Sequence, residues 1–132
     1  MTLPLICIAL LGILALSTGV MVTVVRGQLN ILTGDPADPE HRLTKWVRAH
    51  GNTCEYAGIL AVMIYILGQT SPSAWVLWCM VITTFCRYLL VLGFVYPKTM
   101  AKPNPMRFVG ALGTYVCGLA LCVALLLHAV SH

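Results

Sequence analysis

The chain has 132 residues, 59% of them hydrophobic and only 9% charged, and its formal charge is +4. A soluble domain carries about 25% charged residues, so this chain cannot cover a water-facing surface and is expected in a lipid bilayer, as one domain. In that setting the basic excess is not a nucleic-acid signal; it gains meaning only once its residues are placed relative to the membrane.

The first element is an uncharged run over 3–25, which predicts a helix over about 3–27. It exceeds the roughly 7–15 apolar residues of a cleavable signal and meets the ~20 that a bilayer requires. It therefore reads as a retained first helix. Three more apolar segments predict spans over roughly 39–68, 72–95 and 105–130. Strands are excluded by length, and lipid leaves helices as the way to satisfy the backbone. Asp38-Pro39, Ser71-Pro72 and Asn104-Pro105 each pair an N-cap residue with a proline suited to the first helical position. The connections read "GQLNILTGDPAD", "GQTSPS" and "YPKTMAKPN". The expected fold is all-α, a left-handed, up-down, integral membrane four-helix bundle filling 1–132.

Arg26, Arg42, Lys45 and Arg48 flank the first connection, and Lys98, Lys102 and Arg107 flank the third. Arg87 alone lies inside a span. All basic side chains thus fall toward one end of an up-down bundle, which the positive-inside rule makes cytoplasmic. Both termini are then expected on the non-cytoplasmic side. The six cysteines include no C-x-x-C pair and read as packing residues, so neither a disulfide framework nor a metal site is expected.

The stretch "VRAHGNTCEY" breaks the apolar pattern where the second helix enters the membrane. At 100° per residue, Arg48, Asn52, Glu55 and Tyr56 fall at about 0°, 40°, −20° and 80°. They form one polar stripe, while His50 and Cys54 fall on the far side. Arg87 lies at nearly the depth of Glu55, and a lone charge there costs on the order of 2.5–3.5 kcal/mol. A Glu55–Arg87 pair is therefore expected, with a mainly structural duty. Arg107 sits in the first turn of the fourth helix, after the Asn104 cap. A cation there opposes the helix dipole, and with the free N–H groups it favours an anion. Arg26, Arg48 and Arg107 border the same mouth, an arrangement that suits a small polyanion or lipid headgroups.

"R-A-H-G-N-T-C-E-Y" resembles the signature of the MAPEG family, the membrane-associated proteins of eicosanoid and glutathione metabolism, and in particular its microsomal glutathione transferases. "VVRGQ", "GDPADPEHRLTKWVRAHGN", Arg87 and "PMRFVGALGTY" extend the likeness over the whole chain. The resemblance implies a homotrimer in the bilayer that takes glutathione as co-substrate, with a lipophilic second substrate and no nucleic acid. Arg26, Arg48, Asn52, Glu55, Tyr56 and Arg87 match its glutathione-holding residues, and Arg107 the arginine credited with stabilising the thiolate. Leu90 stands where relatives often carry His or Tyr, and Phe94 where several carry a ligand-binding Tyr. The implied activity is glutathione transfer to a lipophilic electrophile, or reduction of a lipid peroxide. A proton-coupled efflux transporter using Glu55, or a catalytically silent scaffold of the family, are the alternatives.

Overall fold

Long apolar runs and local end signals set four helices: α1 (Thr2–Leu29), α2 (Arg42–Gly68), α3 (Ala74–Val95) and α4 (Pro105–Val130). The computed structural model describes residues 1–35 and 37–131. All four helices are long and apolar enough to cross a membrane. The prolines they contain, Pro4 and Pro105, lie in first turns, where a missing N–H leaves no helical bond unmade. α1 ends at Asn30, whose left-handed backbone (φ 52°) lets the N–H groups of Asn30 and Ile31 return to Gly27 and Arg26 carbonyls. α4 begins as its sequence predicts, with Asn104 Oδ1 accepting from Met106 N at 2.8 Å and Arg107 N at 3.3 Å.

Two starts differ from expectation. α2 begins at Arg42 rather than near Pro39, because Asp38 Oδ1 accepts the Glu40 N–H (2.8 Å) and closes a turn ahead of the helix. α3 begins at Ala74 behind Ser73, while Ser71 takes a left-handed φ of 53° within the connection.

α2 and α3 form the centre of the bundle, with α1 laid mainly on α2 and α4 mainly on α3. Among the described residues α1 and α4 do not meet. The principal core gathers Leu11, Leu60, Ile64, Met80 and Leu121 from all four helices. It fills the half of the bundle where Met1 and Pro4 lie over Gly68, beside the α2–α3 turn. Toward the other end the core thins to small clusters around Leu14–Ala49–Val91 and Val22–Val25–Leu43. Room for a cavity is therefore left at the end that carries the two long connections. Those connections are stitched to the bundle and to each other: Met100 N donates to Pro39 O (2.9 Å), and Lys45 Nζ to Pro97 O (3.0 Å).

Lipid supplies no hydrophobic drive between helices, so close packing and small residues must hold them. Gly110 meets that need at the α3–α4 contact. A Cβ there would stand 2.8 Å from Leu90 N and 2.9 Å from Cys86 O, both backbone atoms. Gly93 does the same nearer the mouth, with Arg107 N 2.6 Å from where its Cβ would be. The first turn of α4, and Arg107 with it, is thus fixed against α3. Outward faces stay apolar, with Leu16, Leu119 and Leu126 exposed. Trp75, Trp78 and Tyr65 lie exposed near the terminal end, where aromatic rings favour a membrane–water boundary.

Candidate functional site

The polar stripe of α2 faces a cavity of about 440 Å³ at the connection end. Arg48, Asn52 and Glu55 line one wall, with Thr44 one turn above and Gly34 and Phe94 opposite. Arg48 and Glu55 are exposed and Asn52 is half-buried, so the three offer a cation, an amide and an anion within two helical turns. Thr44 is held by its own bond, Oγ1 donating to the Asp35 carbonyl at 2.9 Å, which keeps the first connection beside the cavity.

Arg87 lies behind this wall and is only 1% exposed. The expected Glu55–Arg87 pair does not form. Arg87 Nη2 donates to Asn52 Oδ1 at 2.7 Å and to the Asn52 carbonyl at 2.8 Å, and its guanidinium lies 5.0 Å from the Tyr56 ring centroid. Among the described residues Arg87 Nε has no partner. Equal depth on two helices does not give equal azimuth: Asn52 points toward α3, whereas Glu55 turns to the open side. Arg87 is therefore a buttress that orients Asn52.

Arg107 borders a second cavity of about 250 Å³ with Pro39, Met100, Arg48 and Phe94. Arg48 and Phe94 line both cavities and form the partition between them. Arg107 Nη2 donates to the Met100 carbonyl at 3.1 Å and to that of Lys102, and the guanidinium lies 5.8 Å from the Phe94 ring centroid. Both bonds leave from one nitrogen, so among the described residues Nη1 and Nε are left to an anion.

Of the sequence candidates, the fold joins Arg48, Asn52 and Glu55 in one cavity and brings Arg48 and Arg107 to its neighbour. Arg26 is exposed in the last turn of α1 and lines neither cavity. Tyr56 turns to α4, its hydroxyl donating to Tyr115 Oη at 3.4 Å. Leu90 is buried against Gly110 and faces neither cavity. Phe94 takes a larger part than the motif gives it, since only the fold shows that it divides the two cavities. Cys54 is exposed, not a packing residue.

The family model described as the MAPEG family matches residues 4–127, and the chain belongs to that family. No curated protein matches the chain.

Proposed function

We propose that this MAPEG family member is a glutathione transferase- or peroxidase-like enzyme, working as a homotrimer at the cytoplasmic edge of its membrane. The carrying observation is the pair of adjoining cavities that share Arg48 and Phe94. Glutathione has two carboxylates, one ammonium group and a thiol. Arg48 suits a carboxylate, Glu55 the ammonium and Asn52 an amide of the backbone. A ligand held so in the larger cavity can direct its thiol past Phe94 toward Arg107. A free thiol has a pKa near 8.5 and is only a few per cent ionised at pH 7. Lowering that pKa by two units takes roughly 2.7 kcal/mol, within reach of one guanidinium in a poorly hydrated cleft. The thiolate then attacks a lipophilic electrophile, or the O–O bond of a lipid peroxide, supplied from the bilayer. Titrating the detergent-purified protein with glutathione at pH 7 is expected to give saturable thiolate absorbance that free glutathione lacks. Binding without that absorbance, or no binding, would remove the enzyme reading.

A transport path through Glu55 is less well supported. Among the described residues no charged side chain lies deeper than Glu55 and Arg87, and below Tyr56 the principal apolar core fills the protomer from α1 to α4. The mouth is assigned to the cytoplasm because Arg42, Lys45, Arg48, Lys98, Lys102 and Arg107 cluster around it. A reporter fused to the C-terminus is accordingly expected to be active only outside the cytoplasm. Cytoplasmic activity would invert the orientation.

A further inference from the structure

α2 carries a glycine in the middle of its ligand-facing wall, and nothing in the packing of the protomer calls for it. Glycine is the least favourable residue of a helix interior after proline, because it has the most backbone freedom to lose. Elsewhere the reason for one is visible: a Cβ at Gly93 or Gly110 would strike the backbone of the facing helix. Gly51 has no such neighbour among the described residues. A Cβ built there meets nothing within 4 Å, and its φ is not positive. Neither a close helix contact nor a left-handed backbone explains the missing side chain.

Its place in the wall does. Gly12, Gly27 and Gly58 are equally open, but Gly51 borders the cavity of about 440 Å³ together with Arg48 and Glu55. It stands three residues after Arg48 and four before Glu55, the spacings at which helical side chains are surface neighbours. Side chains on a helix lean toward its N-terminus, so one at position 51 would lie over the preceding turn, against Arg48 and Val47. The notch between the cation and the anion therefore exists because residue 51 has no side chain.

We propose that Gly51 is a specificity-determining residue of the mouth: the notch it leaves between Arg48 and Glu55 seats the peptide portion of the thiol co-substrate. Its width then decides whether a γ-glutamyl tripeptide reaches both charged side chains at once. This assignment rests on the glutathione reading of the cavity. It also explains why a residue that weakens the helix stands in the wall, since binding sites commonly give up local stability for function. The ordinary rival is subunit packing. Gly58 lies seven residues on, shares this face of α2 and is also open, and small residues let helices approach closely in a bilayer. The two roles separate by substitution, because packing engages both glycines and the notch engages Gly51 alone.

The test uses the full-length protein in detergent with glutathione as the probe, and reads melting temperature, oligomeric mass, affinity and rate. Gly51→Ala is expected to melt a few degrees higher, because alanine favours the helix, and yet to bind glutathione about threefold more weakly. Gly51→Val, whose branched side chain is stiff at χ1 and cannot swing aside, should lose about tenfold or more. KM should rise by the same factors while the saturated rate and the thiolate absorbance at saturation stay as in the parent, since Arg107 is untouched. Gly58→Ala should leave the affinity unchanged. Parent-like binding by Gly51→Val overturns the notch and leaves the transferase reading standing. Should Gly51→Val not fold, parent-like binding by Gly51→Ala decides against the notch equally. A parent protein that binds no glutathione removes the transferase reading and the notch with it. If Gly51→Ala and Gly58→Ala both lower the oligomeric mass or the melting temperature, subunit packing accounts for the two glycines and the notch is overturned.

Discussion

Arg107→Leu is expected to remove most of the thiolate absorbance of bound glutathione at pH 7 while leaving binding through Arg48, Asn52 and Glu55 largely in place. If the guanidinium lowers the thiol pKa by about two units, its loss drops the ionised fraction at pH 7 by roughly 25-fold. The conjugation rate falls less. A thiolate of higher pKa is intrinsically more nucleophilic, with a Brønsted coefficient of about 0.4–0.5, which returns roughly tenfold of that loss. The net slowing at pH 7 is then only about threefold, and above about pH 8 the variant should overtake the parent protein. This crossing of two pH–rate profiles is the decisive signature. Arg107 also holds the carbonyls of Met100 and Lys102, so its removal loosens the second long connection. Loosening alone would lower the rate at every pH and would not make the profiles cross. Arg107→Lys keeps a cation but loses the fork of donors, and it should fall between the two. Arg48→Leu should instead weaken binding with less effect on the saturated rate, since its carboxylate partner is unchanged by the reaction. An Arg107→Leu protein with an unchanged thiolate spectrum would end the proposed mechanism.

Features that depend on a few neighbouring residues were legible in the sequence, and features that depend on azimuth were not. Asn104-Pro105 fixes the start of α4 because the cap, the proline and the orphan N–H groups lie within four residues. Asp38-Pro39 carries the same signal, yet the carboxylate of Asp38 is spent on the Glu40 N–H, and the helix waits until Arg42. The Arg48–Asn52–Glu55 wall follows from the helical period alone, since all three stand on one element. Arg87 stands on another, and the sequence gives its depth without its bearing, which is why Asn52 rather than Glu55 receives it. Phe94 escapes for the same reason: its place between two cavities arises from the way Gly93 lets α4 close on α3 and bring Arg107 alongside.

Asn52→Leu is expected to be the most destabilising change in the mouth, at about 1.5–3 kcal/mol. That is the range for a hydrogen bond to a charged group, and here the group left behind cannot neutralise itself, because arginine stays protonated. The bond from Arg87 to the Asn52 carbonyl survives the substitution, as does the Tyr56 ring beneath the guanidinium, so the loss is confined to one of the bonds at Nη2. Arg87→Met removes the buried cation itself, and the amide it exposes borders a cavity that water can enter. Removing both partners should therefore cost less than removing Asn52 alone, as with other buried polar pairs. Thermal unfolding in detergent is the measurement, with the double variant melting above Asn52→Leu. Glu55→Gln supplies the contrast: Glu55 is exposed and does not receive Arg87, so its effect should stay within about 0.5 kcal/mol. If Glu55→Gln destabilises as much as Asn52→Leu, or the double variant melts at the sum of the two single losses, then Arg87 is not tied to Asn52. The mouth would lose its link to the core, because Arg87 is the side chain through which α3 holds the ligand-facing wall of α2.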